Sequence, residues 1–401
     1  MPQVLILADD LTGAADTGLP FQARGLRVRV HLAGGSDARL DDAANDTADV
    51  AVLSIETRSL PLAEAQRQTR HAAERIAPFI GSVPASVVYK KIDSTLRGWV
   101  GPETRLLLEA LPDYCAWIVP AYPEQGRTMT NGIYRVHGAP LHETVFASEL
   151  PGGGLTDSFL PSWLERQIGA PVGFVSARVV DAGVAAIVRA ARHHRRAGRR
   201  VLVFDAADGA QIRRVVAAGQ GSGKPLLWVG SAGLGRGVAE MVAGSSDGDA
   251  GSPAVPRPGA ATVVVVAGSR NPVTRAQVAR LLRARGDDDT VLVTPGEADA
   301  GDDARVVADR LGARAADRIR QAPPGGAALV LTGGDTAAAV LRHLGASALD
   351  ILGAVEEAMP ISRIVGGAAN GALAVTKAGG FGAETSLLAA VAALRRGDSP
   401  A

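Results

Sequence analysis

The feature that most constrains this chain is an alternation. Short, strongly apolar runs recur along its length, at Val4–Leu7, Val28–Leu32, Val50–Ser54, Ser86–Tyr89, Ala116–Val119, Val172–Val175, Val201–Phe204 and Leu226–Val229, and again at Thr262–Val266, Val291–Val293, Ala328–Leu331 and Leu373–Val375. Between many of them apolar residues take helical spacing, as in Leu62–Ala77, Val184–Ala197, Pro272–Arg285, Asp302–Gln321, Asp335–His343 and Glu384–Leu394. A short apolar run without polar alternation reads as a strand buried on both faces. Strands alternating with helices require right-handed crossovers and a largely parallel sheet. The expected fold class is therefore α/β. Pro20 falls early in the first expected helix and should kink or stop it.

At 401 residues the chain is too long for one ordinary core. Residues 244–260 are rich in Gly, Ser and Pro and carry no apolar periodicity, so they read as a linker. The expectation is two α/β domains with mainly parallel sheets, residues 1–243 and 261–401, of the kind that closes over substrates. Forty-two basic against 41 acidic residues leave a net charge of +1, which argues against nucleic acid or a membrane as the main partner. The single cysteine, Cys115, excludes an intrachain disulfide and fits a reducing compartment. With no signal segment and no apolar run near the ~20 residues of a membrane span, a cytoplasmic protein is expected.

In open parallel sheets, ligands bind beyond the carboxyl ends of the strands, so the residues that follow each strand carry the functional signal. After the first strand come Asp9, Asp10, Leu11, Thr12 and Gly13, which form either a helix cap or the rim of an anion site. Tyr89 to Gly98 places Lys90, Lys91, Asp93, Ser94, Thr95 and Arg97 at another strand end, either a solvated turn or a site, and so many convergent polar types favour the site. Arg58 also follows a strand, where its guanidinium could grip a carboxylate in bidentate fashion or form a surface ion pair. The loop Pro120–Thr128 brings Arg127. In the second domain, glycines follow three strands, at Gly268-Ser269, Gly333-Gly334-Asp335-Thr336 and Gly379-Gly380. Bare backbone and a helix N-terminus suit phosphate there. Two lookalikes fail. Gly221-Ser222-Gly223-Lys224-Pro225 lacks the first glycine and the hydroxyl of a P-loop, and Gly230–Gly235 has misplaced glycines and no later ribose-binding acid. No His/Cys cluster has metal-ligand spacing, and no Gly-x-Ser-x-Gly elbow occurs.

These pieces, in this order, resemble the four-carbon acid sugar kinase family, whose members phosphorylate tetronates and 3-oxo-tetronates with ATP. The resemblance rests on Ala8–Ala14, Thr57-Arg58-Ser59, Lys91–Gly98, Pro123–Thr128, Gly230–Leu234, Ala267-Gly268-Ser269, Gly333–Thr336 and Lys377–Gly382. It implies an N-terminal acid-sugar-binding domain in which Asp10, Arg58, Lys90, Lys91, Asp93 and Ser94 meet the sugar acid, and a C-terminal domain in which Ser269, Gly333, Gly334, Asp335, Thr336 and Gly379 meet ATP. By their placement at the same strand ends, Asp9 and Arg127 are expected to join the first set and Gly380 the second, with Mg²⁺ as the ion of phosphoryl transfer and its ligands unassigned. Ser54, Asp335 and Trp99 depart from the usual family residues.

The function expected is transfer of the ATP γ-phosphoryl group to the terminal (C4) hydroxyl of a sugar acid, with Asp10, Asp93 and Lys91 as catalytic residues. Such transfer relies on positioning and charge neutralisation. The adjacent charge of Asp9 favours Asp10 as proton acceptor, and Lys91 near Asp93 suits Asp93 to orienting the hydroxyl; the reverse assignment stays open. The alternatives are a nicotinamide-dependent oxidoreductase of a small hydroxy acid, using the Gly230 turn, or a non-catalytic sugar-acid sensor. Whether the chain forms a homo-oligomer is open.

Overall fold

The computed structural model of the protein describes residues 2–32, 37–82, 87–151, 155, 158–244, 260–284, 290–296, 299, 301–323 and 326–396. The expected linker lies almost wholly outside them. The chain forms two compact units, Met1–Asp9 with Gly35–Asp247, and Asp10–Gly34 with Gly248–Ala401. The division expected at residues 243 and 261 differs at one place: Asp10–Gly34 goes with the C-terminal residues.

The first unit holds a parallel sheet in the order Val50–Ser54, Val4–Ala8, Val87–Lys91, Leu226–Gly230, Cys115–Val119, Val201–Phe204 and Val172–Val175. Val4–Ala8 and Val50–Ser54 are buried at every position, as central parallel strands must be. Trp117 anchors the core, with its ring 4.7 Å from Phe204 and edge-on to Trp228 at 5.7 Å. A small antiparallel sheet, Arg127–Thr130, Ile133–Val136 and Ala139–Pro140, follows the Cys115–Val119 strand end; it was not foreseen.

The second unit orders its strands Thr290–Val293, Thr262–Ala267, Ala327–Thr332, Leu373–Lys377, Met359–Val365, Ala348–Glu356 and Val28–Leu32. The first four are parallel and the rest antiparallel. Its core includes Val263, Val265, Val330, Ile361, Val375 and Leu387. The Leu11–Gln22 helix packs on this unit's own strands. Gly18 allows that approach, since a Cβ there would lie 2.8 Å from Val28 Cγ1. Gln22 Nε2 donates to Leu352 O at 2.9 Å, and Arg29 pairs with Asp350 at 2.6 Å. Pro20 does not stop the helix, which runs on to Gln22. The lost N–H falls late enough that only the last residues follow it.

Candidate functional site

In the first unit the functional residues gather where three parallel strands end. Asp9 follows Val4–Ala8, Arg58 follows Val50–Ser54, and Lys91 closes Val87–Lys91 with Asp93 to Arg97 after it. Register puts Ala8 beside both Ser54 and Lys91, so the three strands deliver their polar residues at one level. Arg58 turns its fork onto Asp9, Nη2 to Oδ1 at 2.8 Å and Nε to Oδ2 at 3.0 Å, and its Nη1 lies 3.7 Å from Asp93 Oδ1. Arg97 takes Asp93 from the other side, Nε to Oδ2 at 2.7 Å and Nη2 to Oδ1 at 3.2 Å. Thr95 Oγ1 also donates to Asp93. The loop that brings Arg97 back to Asp93 is sharply turned: Leu96 has φ 64° and Gly98 φ 83°. A Cβ on Gly98 would lie 3.3 Å from Asp9 Oδ2 and 3.4 Å from the Arg58 backbone, so the bare glycine lets the loop lie against the pair.

Burial would raise both carboxyl groups, but nearby cations outweigh it. Arg97 and Arg58 hold Asp93 well below the usual carboxylate range, and Arg58, Lys90 and Lys91 do the same for Asp9 less strongly. Asp93 is thus a poor base and a good acceptor, as expected, although arginines rather than Lys91 are the main cause. Arg127 is buried, donating Nη1 to the Gln125 carbonyl and lying 3.2 Å from His137 Nε2. Burial brings its pKa down, opposed by Tyr134 and Asp93.

Several expected residues take roles the sequence did not show. The Arg58 fork is engaged by Asp9. Lys90 and Lys91 point to opposite faces of their strand, as period-two alternation demands. Lys90 Nζ reaches Glu103 Oε2 at 2.6 Å in a pair exposed by only 0% and 1%, while its charge still bears on Asp9. Lys91 carries no side-chain hydrogen bond or ion pair among the described residues, and the Ser94 hydroxyl is likewise unengaged. Arg58, Arg97, Lys91 and Arg127 against Asp9, Asp93 and Glu149, which pairs with Arg97 Nη1 at 3.2 Å, leave the cluster cationic. Arg97, the chief partner of Asp93, was legible only as part of its stretch, because the pair is made by the turn of the loop at Leu96 and Gly98 and not by a helical spacing. Glu103 gave no signal.

Asp10 lies in the second unit. It caps the Leu11–Gln22 helix with extended backbone, accepting from Gly13 N at 2.9 Å and Thr12 Oγ1 at 2.6 Å. It also lies against the Gly334–His343 helix start: a Cβ on Gly334 would fall 2.5 Å from Asp10 Oδ2. The cap reading of the opening stretch is what the Asp10 side chain shows. Around that helix start the expected nucleotide residues converge. A Cβ on Gly268 would lie 2.1 Å from Thr336 Oγ1, one on Gly379 2.0 Å from Ser269 Oγ, and one on Gly380 3.3 Å from Asn271 Nδ2. Gly333 has φ 96° and donates its N–H to the Lys377 carbonyl at 2.9 Å. Asp335 is exposed in the first helical turn. Thr274 Oγ1 donates to Gly379 O at 2.8 Å; Thr274 was not foreseen because hydroxyls inside a helix pattern carry no site signal.

The Gly230 turn is closed. A Cβ on Gly230 would be 2.5 Å from Val119 O, and one on Gly233 2.5 Å from Ala121 O, so these glycines serve helix–strand packing. Among the described residues no group of three or more His, Cys, Asp or Glu side chains is arranged to hold a metal, and no helix is long and apolar enough to cross a membrane.

The sequence pattern of a sugar-binding N-terminal domain matches residues 4–238, and that of a nucleotide-binding C-terminal domain matches residues 287–387. The fold is α/β, and the two patterns define a chain of two parts, one matching a sugar-binding N-terminal domain and the other a nucleotide-binding C-terminal domain. The chain is 32% identical over 428 residues to the D-threonate kinase of Bordetella bronchiseptica, covering 98% of each. It is 31% identical to the 3-oxo-tetronate kinase of Escherichia coli K12 over 283 residues, 70% of this chain and 69% of that one. A solved structure from Salmonella typhimurium LT2 superposes with a TM-score of 0.75, covering 97% and 99% of the two chains, at 24% identity, a likeness of fold alone. The chain belongs to the four-carbon acid sugar kinase family.

Proposed function

We propose that the protein is an ATP-dependent kinase that phosphorylates the terminal (C4) hydroxyl of a four-carbon acid sugar such as threonate, erythronate or a 3-oxo-tetronate. One observation carries the reading: in the unit matched by the sugar-binding pattern, the strand ends hold a cationic cluster in which Lys91 and the Ser94 hydroxyl have no side-chain partner among the described residues. Such a cluster suits a small polyhydroxy anion. Lys91 takes the substrate carboxylate, Ser94 and Asp93 orient its hydroxyls, and Arg58 works indirectly, fixing Asp9 and Asp93 in place. Arg127 adds positive charge.

In the second unit Ser269, Gly333, Gly334, Thr336, Gly379 and Gly380 bind ATP through backbone and hydroxyls. The alcohol oxygen attacks the γ-phosphorus, the bond to the β-phosphate oxygen breaks, ADP leaves, and the hydroxyl proton passes to Asp10. Asp9 and Asp93 are held too acidic for that duty. Oxygen-only donors suit Mg²⁺, which usually keeps one or two carboxylates beside phosphate oxygens. Exposed Asp335 would hold it, and the ion would supply charge neutralisation at the phosphates.

The test is ATP consumption over a panel of four-carbon acids, with product NMR to place the phosphate. One acid should stand out and carry phosphate at C4. Lys91→Met should then raise KM for that acid at least about 10-fold, the worth of one charge-assisted contact. Sugar-acid binding without ATP turnover on any tetronate would sink the proposal in favour of a sensor.

A further inference from the structure

Lys377, at the end of the Leu373–Lys377 strand, has 0% exposure, yet among the described residues no carboxylate forms an ion pair with it. Its Nζ is enclosed by backbone carbonyls, donating to Ala378 O at 2.8 Å and Phe381 O at 2.9 Å, with Gly379 O at 3.5 Å. The same carbonyls are held from a second side. Thr274 Oγ1 donates to Gly379 O at 2.8 Å, and Gln277 Nε2 donates to Phe381 O at 3.0 Å and Ala383 O at 2.8 Å. In a trans peptide plane the C=O and the following N–H point in opposite directions. Carbonyls 378, 379 and 381 turned toward the ammonium therefore turn the N–H groups of Gly379, Gly380 and Gly382 away from it. Those three N–H groups have no partner among the described residues, and the glycines are half-buried or exposed.

We infer that Lys377 is a positioning residue for the nucleotide phosphates: its caged ammonium draws the loop carbonyls inward and so presents the amides of Gly379, Gly380 and Gly382 as a phosphate cradle. This rests on the nucleotide reading above and adds to it how the loop is shaped. A buried ammonium without a counter-ion is costly, and burial brings its pKa down to about 8, with Glu356 opposing the fall. An anion on the far side of the loop offsets that cost, since successive backbone amides form an anion-binding concavity. The glycines keep the cradle bare. A Cβ on Gly379 would strike Ser269 Oγ, and Gly382, with φ 85°, would place one 2.5 Å from Ser386 Oγ.

The test compares wild type with Lys377→Met by calorimetry on the full chain, using ATP, adenosine and the sugar acid found in the screen as separate ligands, with far-UV circular dichroism confirming the fold. The variant should bind ATP about 10–100-fold more weakly, while adenosine and sugar-acid affinities stay within about twofold. In turnover, KM for ATP should rise and KM for the acid should not. A lysine that only supports the fold would change adenosine and ATP binding together, and that result overturns the inference, as does unchanged ATP affinity. If Lys377→Met does not fold, Thr274→Val with Gln277→Leu loosens the same carbonyls and must weaken ATP selectively or the inference falls. Wild type that binds neither ATP nor adenosine overturns the nucleotide reading itself.

Discussion

The two adjacent lysines, Lys90 and Lys91, show how far a strand's pleat governs residue roles. Lys90 is sealed against Glu103 in a pair that is essentially unexposed, whereas Lys91 has no side-chain partner among the described residues. Replacing one member of a buried pair leaves a desolvated charge, which costs about 3–5 kcal/mol, whereas replacing both with apolar groups is often neutral. Lys90→Met alone should therefore lower the melting temperature sharply, and Lys90→Met with Glu103→Leu should recover most of it. Equal losses in the single and double variants would show that Lys90 stabilises the fold by some other contact. In the sequence both lysines stood in one polar stretch and both resembled substrate ligands. The alternation that separates them was available, but the partner that claims Lys90 is thirteen positions on and carries no signal until the helix is packed. Arg58 was hidden in the same way: its placement after a strand was readable, while the grip of Asp9 on its fork follows only from strand register.

The parallel strands were legible because each is a bounded apolar run, and most expected ends fall within one or two residues of the observed ones. The antiparallel hairpin Ala348–Glu356 and Met359–Val365 was not. Gly353 and Pro360 interrupt its pattern, and its turn uses neither Gly nor Asn: Ala358 carries the left-handed backbone, φ 59°. Turn chemistry that breaks the usual residue rule leaves nothing to read. An L-residue in that region bears about 1–2 kcal/mol of steric cost. Ala358→Gly should then stabilise the protein by up to about 1 kcal/mol after the extra chain entropy of glycine is offset. Denaturant melts should show a higher midpoint at unchanged slope. A lower midpoint would mean that the buried Ala358 methyl is worth more than the strain. The glycine-bearing strand ends of the second unit were readable as a group. The caged lysine behind one of them was not, because a lysine in an apolar strand gives no hint of where its ammonium ends.

At the scale of the whole molecule, sequence composition marked a division near residues 244–260, and the contacts add two more, after Asp9 and after Gly34. The second unit needs the Leu11–Gln22 helix, in which Leu11, Ala14, Ala15 and Phe21 are fully buried, and the Val28–Leu32 strand. Composition cannot show this, because a helix and a strand of ordinary α/β character could sit in either unit. Residues 260–401 expressed alone should accordingly lack a cooperative melt and ATP binding, whereas the same piece fused to residues 10–34 through a flexible linker should regain both. A sharp thermal transition in the shorter piece would show the N-terminal segment to be dispensable.

The bond between Gln22 and Leu352 joins residues 330 positions apart. Ribosomes add about 5–20 residues per second, so the first helix emerges from the tunnel and waits on the order of tens of seconds for the strands that will cover it. During synthesis its apolar face is a standing invitation to chaperones and to other nascent chains, and yield in a cell should respond to elongation rate in a way that refolding of the finished chain does not.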